Sequence, residues 1–263
     1  MRRTTLRGFR RYAVPFWKAL RHSTRISDET FLLSPFLIGP DQGPVIDKHL
    51  FMPRKRLFRS SDLPYHVSAR CSNKEWFKVP MEEVWDIFSI YLHFISHAYQ
   101  VRIHSFVLMS NHFHMLISTP DANIDEAMNY FLREVSRSLG KASGRINQIF
   151  GGPYHWSLIN NSIYYQHAYK YIYRNPVHAG LSRQVEEYKF STLRGLLGFE
   201  RLVIPAIDNL DLIHNPASQL RWLNKTYDED VQEAIRLALR KKEFGFSRDP
   251  LTQKQSFLED RIV

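Results

Sequence analysis

The chain has 263 residues, 44% of them hydrophobic, enough to bury a core in one large domain or in one medium domain with extensions. Its single cysteine, Cys71, excludes an intramolecular disulfide and a Cys-rich zinc site, and fits a reducing cytoplasm. A net charge of +10 and a pI near 9.7 point to a polyanionic partner, because clustered Lys and Arg release counterions from phosphates.

Residues 1–51 are Arg-rich, carry no acid before Asp28 and end in a Pro/Gly-containing stretch without periodicity. They read as a basic extension, untranslated or disordered; Met52, heading Met-Pro-Arg-Lys-Arg, is an alternative start. The apolar stretch from Phe31 to Ile38 is broken by Ser34 and Pro35 and falls short of the ~18 to 20 residues that span a bilayer, so no membrane partner is expected.

Regular patterning begins after Leu63. Tyr65 to Cys71 alternates as a first strand. Pro80 starts a helix from Met81 to Gln100, with Val84, Phe88, Ile95 and Tyr99 on its apolar stripe. His104 to Met109 and His112 to Ser118 read as two strands of an antiparallel hairpin turning at Ser110-Asn111, or as one long strand with a bulge. A second helix starts at Asn123, which with Glu126 has the pattern of a capping box; its core stripe is Ile124, Met128, Phe131, Val135 and Leu139. On another face Arg133, Arg137 and Lys141 recur every four residues, a spacing that suits a DNA phosphate track and equally a solvated face.

Gly151-Gly152-Pro153 breaks the chain before a short strand from Tyr154 to Asn160. A third helix runs from about Ser162 to Asn175 and is expected to stop before Pro176. Asp230 to Lys242 reads as a further short helix, with Arg240, Lys241 and Lys242 in its last turn, in a segment that either binds DNA or packs on the core. The order of elements predicts an α+β fold, an antiparallel sheet sandwiched by helices.

The chemistry centres on His112-Phe113-His114. Two residues apart on a strand, the imidazoles share one face while Phe113 points into the core, so the pair can hold a divalent ion or be two satisfied buried histidines. Tyr171 and Asn175, four apart, share a face of the third helix.

Three blocks in this order resemble the single-tyrosine HUH transposases, and among them the REP-associated tyrosine transposases of bacteria. They are Pro64-Tyr65-His66-Val67, the His-hydrophobic-His block from Met109 to Leu116, and the run from Tyr171 to Leu181; a weaker fourth is Tyr188 to Thr192. The resemblance spans residues 53–198 and divides the chain into a basic extension (1–51), the transposase-like domain (52–198) with a ferredoxin/RRM-like HUH fold, and a C-terminal extension (199–263).

The resemblance implies that His112, His114 and Asn175 bind one divalent ion, Mg²⁺ or Mn²⁺, and that Tyr171 is the nucleophile. It implies cleavage and rejoining of single-stranded, hairpin-bearing DNA through a 5′-phosphotyrosine, in a bacterial cytoplasm on the nucleoid, by a monomer or homodimer. His167, one turn before Tyr171, is a candidate for proton transfer, for packing or for DNA contact. Trp156 is a candidate for stacking on a base or for the core. The chain departs from its relatives at Tyr154-His155-Trp156, where they carry a basic pair, and at Phe190, where they carry tryptophan. The rival readings are a domesticated, non-catalytic DNA-binding regulator and a phosphohydrolase that uses water.

Overall fold

The computed structural model describes residues 59–208, 210, 214–248 and 254–263, which lie in a unit running from Arg56 to Val263. The expectations for residues 1–51 and Met52 lie outside the described residues. Four strands form one antiparallel sheet: β1 (Tyr65–Arg70), β2 (Arg102–Leu108), β3 (His112–Ser118) and β4 (His155–Leu158), in the order β2-β3-β1-β4.

Alternation along the strands divides the molecule into layers. Tyr65, Val67, Phe106, Phe113, Met115, Ile117, Trp156 and Leu158 face one side, where α1 (Met81–Ala98) and α2 (Ile124–Ser143) cover them in a continuous apolar cluster. Val107 and Leu116 face the other side, where α3 (Ser162–His178) packs on β2 and β3. The sheet is therefore sandwiched by helices, as the order of elements predicts. The hairpin reading holds too: β2 and β3 pair antiparallel, with a bulge between Ile103 and Ser105. That bulge is why Ile103 and Phe106, three apart, both reach the α1/α2 core.

Three local expectations need correction. Pro176 does not end α3, which continues to His178. A proline this close to the C-terminus removes only one N–H, and Ala179 N–H still reaches Asn175 O at 3.0 Å. The chain leaves the helix at Gly180, whose φ of +70° is the left-handed conformation that glycine adopts without strain. Asn123 precedes α2 but makes no side-chain cap; its Nδ2 instead donates to Tyr99 O at 3.1 Å, joining the end of α1 to the start of α2.

The last correction concerns the C-terminal helix. After α4 (Thr192–Leu196) and α5 (Pro216–Asn224), α6 runs from Glu229 to Ala238, so Arg240, Lys241 and Lys242 lie past its end. The free edge of β4 claims that backbone: Leu158 N–H donates to Lys242 O at 2.8 Å and Phe244 N–H to Leu158 O at 2.9 Å, which requires an extended chain.

Residues beyond 198 pack heavily on α3. Val231, Ile235, Ala238 and Leu239 of the α6 region are buried beside Ala168, Tyr169 and Ile172. Arg174 Nη1 donates to Leu223 O (3.2 Å) and Asn224 O (2.8 Å), and Lys170 Nζ donates to Val263 O at 2.7 Å while facing the rings of Trp222 and Tyr227. No helix among the described residues is long and apolar enough to cross a membrane.

Candidate active site

The sheet face beneath α3 carries His66, Ser68 and Arg70 from β1, His112 and His114 from β3, and His155 from β4. Register sets their neighbours: Arg70 lies opposite His112, Ser68 opposite His114, and His155 opposite Ser68. These side chains line an open cleft of about 980 Å³, and α3 adds Tyr171, Asn175 and His178 to its wall. His112, His114, Tyr171 and Asn175 thus meet in one cavity, with the Tyr171 ring edge-on to His114 at 5.8 Å between centroids.

Each of the paired imidazoles is oriented by a partner. His112 Nδ1 lies 2.7 Å from Asn111 Oδ1; a carbonyl oxygen only accepts, so Nδ1 carries the proton and Nε2 keeps its lone pair. Asn111 is itself held by Nδ2 donating to Lys74 O at 2.7 Å. His114 Nδ1 shares a hydrogen bond of 3.0 Å with His66 Nε2, and the two rings stack at 5.2 Å. If His114 donates in that bond, its Nε2 is likewise a free lone pair, and His66 carries its own proton on Nδ1, a buried atom without a partner.

Burial keeps these imidazoles neutral. It pushes His66 down to about 3, helped by nearby His155, and His112 down to about 4, helped by Arg70. His114 falls well below the usual histidine range through burial first and then through His66, His112 and Arg70. Neutral rings with oriented Nε2 atoms have the state that metal coordination requires.

Among the described residues no three His, Cys, Asp or Glu side chains gather as a metal cage. A hard cation here would take two imidazoles and one amide oxygen, and Asn175 offers that oxygen. Its Nδ2 donates to Tyr171 O at 2.9 Å, while its Oδ1 has no hydrogen-bond partner among the described residues. Such a mixed N/O set with open positions fits Mg²⁺ or Mn²⁺.

Tyr171 makes no hydrogen bond through its hydroxyl to another described residue, although the side chain is 8% exposed. Burial raises its pKa, and the charges of Arg236, Arg240 and Arg70 oppose that rise. The neighbouring tyrosines are engaged elsewhere: Tyr173 shares a hydrogen bond of 2.9 Å with Thr192, and Tyr169 is fully buried against Tyr173.

The other candidates lie away from the cleft. His167 is fully buried, its Nε2 3.1 Å from Leu258 O and its ring edge-on to Phe246. Trp156 faces the α1/α2 core, edge-on to Tyr65, with Lys242 Nζ 4.3 Å from its ring centroid. Arg133 and Arg137 project from α2, on the opposite side of the sheet, and both pair with Glu134; Lys141 follows on the same helix.

Sequence reasoning missed His66, Asn111, His155, Arg236 and Arg240. His66 stands in a recognised block, yet its partnership with His114 depends on strand register across 48 residues.

The cleft brings together residues from two of the blocks that carry the motif resemblance, His112 and His114 from one and Tyr171 and Asn175 from the other. Residues 59–175 match the model of the family described as "Transposase IS200 like". The chain is 32% identical over 92 residues to the REP-associated tyrosine transposase of Escherichia coli (strain K12), an alignment covering 35% of this chain and 53% of that protein. A solved structure of a REP-associated tyrosine transposase bound to a REP hairpin is similar over 60% of this chain and 93% of its own, at 21% identity and a TM-score of 0.47. The recognition read from the motifs is borne out: the segment that carries the site is IS200-like in sequence.

Proposed function

We propose that this protein is a metal-dependent, single-stranded DNA transposase that cleaves and rejoins strands through a 5′-phosphotyrosine. The observation that carries the reading is the meeting of Tyr171, His112, His114 and Asn175 in one cleft, on a segment that matches IS200-like transposases.

His112 and His114, through Nε2, and Asn175, through Oδ1, would hold one Mg²⁺ or Mn²⁺ ion. When bound, the ion supplies Lewis-acid polarisation of the scissile phosphate and neutralises developing charge. The chain's own residues do the rest. Tyr171 Oη attacks phosphorus, a Tyr O–P bond forms, the P–O3′ bond breaks, and the 3′-oxygen leaves with a proton as the phenol loses one. The adduct remains a phosphodiester, so a second 3′-OH reverses the step and joins a new strand without ATP. Asn175, bonded to the Tyr171 carbonyl one turn back, ties the third donor to the helix that carries the nucleophile.

In this reading the substrate is hairpin-bearing or palindromic single-stranded DNA, met in a bacterial cytoplasm on the nucleoid by a monomer or homodimer. Residues 52–198 are the catalytic domain, residues 1–51 a basic extension, and residues 199–263 an appended segment.

The test uses single-stranded oligonucleotides from the DNA flanking the gene, incubated with protein and Mg²⁺ or Mn²⁺ or with EDTA. The reading expects an SDS-resistant complex with metal and none with EDTA. Turnover of substrate without a covalent complex would favour a hydrolase that uses water, and binding with neither product would favour a non-catalytic regulator.

A further inference from the structure

Helix α6 and the chain just after it lie beyond the family-matched span, yet they bring two guanidinium groups to the cleft. Arg236 sits in its last turn and Arg240 four residues on; both line the cavity with His112, His114 and Tyr171. A third guanidinium, Arg70, arrives from the end of β1, directly opposite His112. Arg236 is forked by Glu233, with Nε 2.5 Å from Oε2 and a second contact from Nη2 to Oε1. Neither Arg240 nor Arg70 has a carboxylate partner among the described residues.

The position of this pair is built in rather than incidental. Val231, Ile235 and Ala238 seat α6 against α3, and the following chain is stitched to β4 at Leu158. His155, on the cleft face of β4, has Nε2 3.0 Å from Arg240 O, so the backbone that presents the guanidinium is fastened to the site itself.

We propose that Arg70, Arg236 and Arg240 form a phosphate clamp that grips the backbone of single-stranded DNA beside the scissile phosphate and seats it against Tyr171. The proposal rests on the reading above that the ligand is DNA. Guanidinium groups suit the task because their planar fork meets two phosphate oxygens at once. The clamp brings three positive charges to the cleft, and these are the charges that oppose the effect of burial on Tyr171. Glu233 competes with phosphate for Arg236, so part of the clamp is released only when a strand arrives.

The experiment measures fluorescence anisotropy of the same labelled oligonucleotides with full-length protein in EDTA, over a series of KCl concentrations. Each phosphate contact contributes about 0.7 to the slope of log K against log salt for single strands. Arg236→Gln with Arg240→Gln is therefore expected to reduce the slope by about 1.4, while Arg201→Gln, outside the cleft, leaves it unchanged. Glu233→Gln, which removes the competitor and keeps the clamp, is expected to tighten binding. An unchanged slope in the double variant, or weaker binding by Glu233→Gln, overturns the clamp even where the wild-type protein forms the covalent complex. A lost slope with no covalent complex in Mg²⁺ or Mn²⁺ supports the clamp and overturns the proposed reaction. Absence of binding by the wild-type protein overturns both.

Discussion

His66 Nε2 and His114 Nδ1 lie 3.0 Å apart with their rings stacked, so the second histidine of the His-Phe-His pair is oriented by a histidine on the adjacent strand. The bond fixes which nitrogen of His114 faces the cleft. Removing such an outer partner commonly costs 10- to 100-fold in metal affinity. His66→Ala is accordingly expected to weaken Mn²⁺ binding by about that factor, read by the loss of free Mn²⁺ signal in electron paramagnetic resonance. Asn111→Ala, which frees His112 Nδ1, is expected to act in the same direction. Unchanged affinity in both variants would show that these contacts do not orient the ligands.

Trp156 is expected to act through packing. It is buried against Tyr65 in the α1/α2 core, and large aromatic-to-Ala truncations typically cost about 3–5 kcal/mol. Trp156→Ala should lower the urea midpoint strongly. Trp156→Phe, which keeps most of the packing, should bind oligonucleotide as the wild type does; a weakened binding constant with a wild-type midpoint would instead indicate base stacking.

Tyr173, two residues after Tyr171 on α3, separates stability from chemistry. Tyr173→Phe removes a hydrogen bond to Thr192 worth about 1 kcal/mol and is expected to retain the SDS-resistant complex. Loss of the complex in a folded Tyr173→Phe protein would move the nucleophile from Tyr171.

Acid should destabilise the fold before carboxylates protonate. His104 is buried, shares a bond of 2.6 Å with Ser118 Oγ, and is pushed by burial, with Arg102 nearby, down to about 4. Between the unfolded value near 6.5 and about 4, the unfolded chain binds the proton and the folded chain does not, so stability falls as pH falls through this window. The slope contributed is about 1.4 kcal/mol per pH unit. Urea midpoints measured from pH 7 to pH 5 should decline, and less steeply in His104→Gln; identical slopes would exclude this contribution.

Much of this architecture is legible locally. Period-two alternation separates Phe113 from His112 and His114, and four-residue spacing sets Tyr171 with Asn175, because both relations depend only on regular backbone geometry. What was not legible depends on pairings between distant segments. The register of β1 with β3 brings His66 to His114, and the edge of β4 draws out the chain after α6, leaving Arg240 beyond the helix. Pro176 misleads for a related reason: the rule that the residue before proline avoids the helix is a tendency, overridden here by packing of the whole of α3 between the sheet and the C-terminal segment.

The proposed reaction requires that Tyr171 become covalently joined to DNA. The most direct measurement digests the SDS-resistant complex with protease and nuclease and locates the nucleotide-bearing peptide by mass spectrometry. The expected result is a 5′-phosphate linked to Tyr171 and no complex from Tyr171→Phe. A linkage at any other residue, or a complex that persists in Tyr171→Phe, would contradict it.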